Sequence, residues 1–508
     1  MSFTETCQRI VRDPLLSPAQ KSHALALAAE NALPYPELPA EVSEAMAKGF
    51  VCDMFEGHAP YKPRYVLPDY EKFLRQGSAW LELAPPQDFD EALDALRILY
   101  HHVPSVTGMP VWLGRLDHLL LPFVGELDEE TLYRKLKGFW IYLDRVLPDA
   151  FMHVNIGPDD NRLCRLILRI DGDLKQVAPN LTLFHDPAQT PDSLLLQGVK
   201  NIAACSKPHI ANYPLHRNTF DERGFGIVSC YNALPQAGGA NTLVRVSLKR
   251  VAEQAHGIDD FLGCLLPHYC RLASRLIEAR AAFLHQESGF FDSFLVQEGL
   301  LEEGRFVPMF GIYGMAEAVN LLMDKENLPE RYGRDEEANQ LGYRISAQLA
   351  RHVSETPQRH AWGGRALLHS QGGLSVDRGV TPGVRIPYGQ EPDPASHMLA
   401  LAPHHGFYHS GISEILTLDP TIRQNPQALL QLCKGALAIG MREFTANVAD
   451  SDLVRVTGYM IRKSDVARLA TEGSRLQTTC LGAEASELTG IRQRAPRVVG
   501  REATLCDY

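Results

Sequence analysis

The chain has 508 residues, with 50 basic against 61 acidic side chains and a formal net charge of −11. Hydrophobic residues make up 45% and charged residues 22%, ordinary globular usage, which excludes a disordered, collagen-like or low-complexity chain. The acidic balance argues against nucleic acid as a partner, because binding a phosphate backbone draws on a basic surface.

The first residues, MSFTETCQRIVRDP, carry neither a basic leader nor an apolar stretch of signal-peptide length. No apolar run approaches the roughly 18 residues of a membrane span, so a cytoplasmic protein without membrane association is expected. Ten cysteines without a C-x-x-C pair read as reduced thiols.

Residues 1–150 are predicted to be mainly helical. DFDEALDALRILYHH from Asp88 and LDEETLYRKLKGFWIYLDRVL from Leu127 space their apolar residues as one helical face. Between them Pro104, Pro110 and Pro122 mark a folded-back connection. From 151 the pattern alternates. LCRLILRI (Leu163 to Ile170) and LTLFH (Leu181 to His185) have strand composition. TPDSLLLQGVKNIAAC offers Thr190 as a helix cap. GFGIVSC and TLVRVSL read as two strands around a loop, and a long helical region follows from about Val251 to His285. PMFGIY is another strand, and RQNPQALLQLCKGALAIGM is a helix capped by Asn425. Such alternation predicts an α/β architecture with much parallel sheet. The organisation expected is 1–150 as a helical N-terminal part, 151–440 as the α/β body and 441–508 as a C-terminal unit.

Common catalytic signatures are missing: no phosphate loop, no H-E-x-x-H and no G-x-S-x-G elbow. APHHGFYHSGISE gathers His404, His405 and His409, which would suit a metal if it were helical, but Pro403, Gly406 and Gly411 argue for a polar loop. In NVADSDLVRVTGYMIRKSDV a lone Gly458 interrupts a strand pattern, as at a bulge or a close backbone approach.

RVTGY, with Gly458 fifty residues before the end, closely resembles the R-V-[ST]-G-Y fingerprint of the glycyl radical enzymes. PNLTLFHDPAQTPDSLL, LGRLDHLLLPF and GIYGMAEAVN are similar to other segments of that superfamily, which includes pyruvate formate-lyase and anaerobic ribonucleotide reductase. The resemblance is nearest to its YjjI-type branch. It implies a ten-stranded α/β barrel of two parallel five-stranded halves, wrapped in helices, with a cysteine loop and a glycyl loop meeting inside. Residues 441–508 would then be the glycyl radical domain.

The chemistry explains the glycine. A Cα radical is stabilised between an amide nitrogen donor and a carbonyl acceptor held in one plane, and a Cβ would crowd that plane. The radical would be a protein-based one on Gly458, with no bound cofactor and no metal. A radical-SAM activating enzyme with an iron–sulfur cluster would install it, and the C-terminal unit would move to be activated. The resemblance also implies a relay cysteine at a loop tip. Cys230 fits that place in FGIVSCYNALPQAGGANTLVRV, with Cys205 as second choice. Gly500, in RVVGRE, lacks the following tyrosine.

Departures from the family bear on the reaction. Ser229 stands where pyruvate formate-lyase has a second cysteine, and Asn232 where the diol dehydratases have a glutamate. Only Cys480 and Cys506 lie in the tail, too few for the zinc site of the anaerobic reductases. Hydrogen abstraction from a small polar metabolite, leading to elimination or C–C or C–X cleavage, is the expected activity of a homodimer. Tyr231, Asn232, Glu317, His185 and His409 are the candidate substrate-pocket residues. The competing readings are a catalytically silent relative and a metal enzyme built on His404, His405 and His409.

Overall fold

Two sheets organise the computed structural model, which describes residues 2–53, 61–103, 112–147, 151–370, 379–476 and 479. The strands are β1 (Val51–Asp53), β2 (Tyr65–Leu67), β3 (Trp112–Arg115), β4 (His153–Ile156), β5 (Asn180–His185) and β6 (His209–Asn212). They continue as β7 (Phe225–Val228), β8 (Asn232–Pro235), β9 (Gly238–Ser247), β10 (Phe306–Tyr313), β11 (Leu367–His369) and β12 (Ile415–Leu418). The last are β13 (Glu443–Val448), β14 (Leu453–Arg455) and β15 (Met460–Arg462).

One sheet runs β12-β13-β6-β5-β4-β3, parallel throughout except between β13 and β6. The other runs β1-β9-β10-β11, with β2 also paired to β9; β9, β10 and β11 are parallel, and β1 and β2 are antiparallel to β9. The sheets adjoin at both edges. Ser370 bridges to Ile412 between β11 and β12, helped by Ser370 N donating to Gly411 O at 2.7 Å, and β2 lies beside β3. Alternation along β9 and β10 sets the interior. Val244, Val246, Phe310 and Ile312 pack outward with the surrounding helices, whereas Leu243 and Met309 join the cluster that holds Cys230.

The helices follow from local chemistry. Asp88 caps Phe89–Tyr100, Asp128 caps Glu129–Val146 and Asn425 caps Pro426–Ala438, each accepting a first-turn amide. The predicted long helical region is Leu248–Gln254 and, after a turn at 255–257, a helix that runs from Ile258 through a π-helical stretch, Phe261–Leu265, into Leu266–Gln286.

Three expectations are corrected. Leu163 to Ile170 is not a strand but part of a helix, Arg162–Leu174. Its apolar run hides a 3.6-residue period: Leu163, Leu166, Ile167 and Ile170 are buried, Arg162 and Arg169 exposed, and Asn161 caps it. Residues 1–150 also contribute three short strands, β1, β2 and β3, which enter both sheets. The Pro-rich connection, of which 104–111 lies outside the described residues, contains β3. Thr190 is not a cap: its hydroxyl accepts Asp186 N at 3.0 Å and donates to Pro158 O at 2.9 Å, while the helix Asp192–Cys205 starts after Pro191 without a side-chain cap.

Candidate active site

Two short hairpins occupy the space between the sheets. The first joins β7 and β8 through Ser229, Cys230 and Tyr231. Ser229 and Tyr231 both take left-handed backbone angles, φ 48° and 60°, which non-glycine residues hold only where surroundings compel it. What compels it is visible. Asn155 on β4 accepts the Ile227 amide at 2.9 Å and donates to the Ile227 carbonyl at 2.8 Å, and Asn232 donates across the tip to Val228 O at 3.0 Å. Trp112 Nε1 donates to Asn155 Oδ1 at 2.9 Å and fixes which way that amide faces. Cys230 is thus raised between two constrained neighbours and is buried.

The second hairpin joins β14 and β15, closed by Val456 N donating to Tyr459 O at 3.1 Å. Asn447 on β13 holds its base, accepting Arg455 N and donating to Arg455 O, each at 2.8 Å. Gly458 sits at the tip and meets Cys230. A Cβ added to Gly458 would overlap Cys230 Cα and Ser229 O and lie 2.5 Å from Cys230 N. No side chain fits there, so the glycine is required by close backbone approach. Around it, Cys230 Sγ lies 3.4 Å from Thr457 Oγ1, and Tyr231 OH donates to Thr457 O at 2.9 Å. Asn180 Nδ2 donates to Gly458 O.

Beneath Tyr231 runs a buried polar row that sequence reasoning missed. Thr182 Oγ1 lies 2.7 Å from His153 Nε2 and 2.9 Å from His209 Nε2. Glu443 then approaches His209 at 3.3 Å and His216 at 2.9 Å. The His209 ring meets Tyr231 edge-on at 4.7 Å. Burial holds His153, His209 and His216 well below the usual imidazole range and pushes the Glu443 carboxyl well above its own. Both directions favour the uncharged forms of these groups. Towards the other sheet, Tyr65 OH lies 3.4 Å from Ser229 Oγ, with the Arg64 guanidinium over the Tyr65 ring at 5.1 Å. Arg245 lies over Tyr313 at 4.5 Å, and both arginines depress His369 beyond what burial does.

The structure brings Gly458, Cys230, Tyr231 and Asn232 together. It leaves three other candidates elsewhere. Glu317, in the helix Met315–Lys325, accepts Thr381 N at 2.9 Å. His185 ends β5 beside Asp186, and His409 lies half-buried near Arg442. Cys205, the second choice for the relay, closes the helix Asp192–Cys205 beside Asp171, where burial pushes its thiol up to about 12. Gly500 lies outside the described residues.

The histidine cluster does not converge. His404 uses both ring nitrogens, Nδ1 to Ser346 Oγ at 2.8 Å and Nε2 to Tyr332 OH at 3.2 Å, and His405 Nδ1 accepts Arg442 N at 2.9 Å. Among the described residues no three His, Cys, Asp or Glu side chains are placed to hold a metal ion, so the metal-enzyme reading loses its ligands.

Residues 16–497 match the family described as glycyl radical enzyme YjjI-like. The chain belongs to that family. It is 60% identical over 502 residues to the YjjI protein of Escherichia coli (strain K12), covering 99% of this chain and 97% of that one. Its fold is that of the glycyl radical enzymes. A glycyl radical enzyme from Archaeoglobus fulgidus superposes with a TM-score of 0.72 at 14% identity, over 90% of this chain and 83% of that one. Hydroxyproline dehydratase from Clostridioides difficile, solved with trans-4-hydroxy-L-proline bound, gives 0.71 at 11% identity, over 98% and 89%. At such identities these neighbours speak for the fold alone. Glycyl radical enzymes carry their radical on a glycine of the chain itself, without a bound cofactor, and are generally activated by a radical-SAM partner. No helix among the described residues is long and apolar enough to cross a membrane.

Proposed function

We propose that Gly458 stores the unpaired electron and that Cys230 relays it to a small polar metabolite. The observation that supports this is the Gly458–Cys230 contact, too tight for any Cβ. A separate radical-SAM activase with an iron–sulfur cluster removes one hydrogen atom from Gly458 Cα. The Gly458 radical then takes the hydrogen of the Cys230 thiol, leaving Gly458 intact and a thiyl on sulfur. The thiyl takes hydrogen from a substrate carbon, the substrate radical eliminates or fragments, and the product radical takes the hydrogen back from Cys230. Burial of both residues keeps solvent from the radical. A cytoplasmic homodimer is the form we assign.

The neighbours of Cys230 bound the reaction. Ser229 Oγ lies 3.7 Å from Cys230 Sγ, so the place of a second relay thiol holds a hydroxyl. Asn232 spends its amide on Val228 O and offers no carboxylate, so an elimination would take its general base from elsewhere on the wall. Arg64, Arg245, Tyr65 and Tyr313 favour a polar substrate.

The test needs no substrate. A thiol proton exchanges with solvent, whereas a glycine Cα hydrogen does not. If Cys230 relays hydrogen, anaerobic activation in D2O converts the glycine doublet in the electron paramagnetic resonance spectrum to the narrow deuterated signal. Cys230→Ala should keep the doublet in D2O, and Gly458→Ala should give no glycine signal. Collapse of the doublet in Cys230→Ala would overturn the relay assignment. A doublet surviving in Gly458→Ala would overturn the radical site.

A further inference from the structure

Asn180 opens β5, a central strand of the six-stranded sheet, yet its side chain reaches the carbonyl oxygen of Gly458, 278 residues on. The orientation of its amide is set. Oδ1 accepts the neighbouring Leu181 N–H at 3.0 Å, so the NH2 group is the end that faces Gly458 O. The backbone is anchored as well, with Asn180 N donating to Met152 O at 2.9 Å on the neighbouring chain segment. Asn180 is 3% exposed, so no water competes for the contact.

Geometry gives this hydrogen bond an electronic meaning. In a glycyl radical the odd electron is shared between Cα, the amide nitrogen as donor and the carbonyl as acceptor. A donor fixed on the carbonyl oxygen lowers the energy of the acceptor orbital and draws spin from Cα towards oxygen. We propose that Asn180 is a catalytic residue in this sense: it touches the radical-bearing unit and sets how strongly the electron is held on Gly458 rather than on Cys230. The proposal rests on the reading of Gly458 as the radical site. Tyr231 grips the same hairpin from the other side through Thr457 O, the carbonyl of the amide that supplies the donor nitrogen, so its bond acts on the donor side and Asn180's on the acceptor side. Position alone could be supplied by Tyr231 and Asn447; the donor on the acceptor carbonyl is Asn180's own.

The experiment compares wild type, Asn180→Leu and Asn180→Asp after anaerobic activation. Without the donor, spin density on Cα rises. The doublet splitting should widen in both variants, and deuterium from D2O should reach Gly458 faster, on the order of fivefold, the weight of one hydrogen bond. A merely structural role would change the amount of radical and leave the splitting as it was. Splitting and exchange rate equal to wild type in either variant would overturn the proposal while leaving Gly458 as the radical site. A wild type without a glycine doublet would instead overturn the radical assignment, and this inference with it. Should neither variant accept a radical, wild-type protein labelled with 15N-asparagine decides: electron–nuclear double resonance must show a 15N coupling to the radical, and its absence refutes the contact.

Discussion

Asn155 and Asn447 do one job at two places on the same sheet. Each grips both backbone groups of a single residue, Ile227 and Arg455 respectively, at 2.8–2.9 Å. Ile227 lies three residues before Cys230, and Arg455 three before Gly458. A side-chain amide here stands in for the missing peptide of a neighbouring strand, so both loops take their height from the same wall. Replacing either asparagine with alanine strips partners from a buried N–H and a buried C=O, roughly 2–4 kcal/mol in total. We expect a lowered thermal midpoint for each and a slower doublet-to-singlet conversion in D2O. Asn155→Ala should be the more severe, because Trp112 Nε1 loses its acceptor too. Midpoints unchanged from wild type would show that the clamps carry no weight.

Gly458→Ala should expel its own hairpin. The new methyl overlaps Cys230 Cα and Ser229 O, both backbone atoms that cannot rotate aside. At the tip the hairpin is held by Tyr231 OH to Thr457 O and Asn180 to Gly458 O, and at its base by Asn447 on Arg455 and Ser206 Oγ to Leu453 O at 3.2 Å; the backbone overlap is met first by giving up the tip contacts. Hydrogen exchange read by mass spectrometry should show residues 453–462 losing protection while β9 and β10 keep theirs. Full protection in the variant would mean that the tip has room.

How far the sequence was legible can be judged residue by residue. Gly458 and Cys230, singled out by the RVTGY frame and by a strand–loop–strand pattern, are in contact in the fold, although 228 positions separate them in the chain. The α/β alternation was legible because periods of 2 and 3.6 differ. It failed at Leu163 to Ile170, where leucine and isoleucine fill both patterns and only the arginine spacing marks a helix. The polar row was not legible. His153, Thr182, His209 and Glu443 are scattered singly over four strands, and only the pairing of β4, β5, β6 and β13 brings them into line. Asn180 stood in the quoted PNLT segment, but no spacing rule links it to a carbonyl 278 residues away. Nothing in residues 104–150 announced β3, whose strand is four residues long.

Below the glycyl hairpin lies an ion pair with no solvent contact. Lys207 Nζ sits 2.6 Å from Asp171 Oδ1, both fully buried, and also donates to Pro179 O at 3.0 Å, next to Asn180. Asn201 donates to the other carboxylate oxygen at 3.1 Å. Removing one partner strands a buried charge, so Lys207→Met should destabilise by about 3–5 kcal/mol. Lys207→Met combined with Asp171→Leu should recover much of the loss, because the remaining charge goes too. Chemical denaturation of the two variants checks this. A double variant no better than the single one would show that the pair's hydrogen bonds, rather than its charges, hold the segment.

The buried histidines make the fold sensitive to acid. Burial brings His404 down to about 4 and, with Arg442 beside it, His405 to about 3. Both are neutral when folded and titrate near 6.5 when unfolded. Below 6.5 the unfolded chain therefore binds more protons, and stability falls as pH falls. At pH 5.5 each should cost about 1.2 kcal/mol relative to pH 7. His153, His209, His216 and His369, also held low by burial, add in the same direction. Glu443 opposes them: its carboxyl is raised, so its contribution weakens as pH rises. One carboxyl against six imidazoles leaves the acid loss dominant. Denaturation midpoints at pH 7 and 5.5 should therefore drop steeply, and His404→Gln should flatten the drop by one proton's worth. A midpoint that stays level between the two would mean that these rings titrate as they do in solvent.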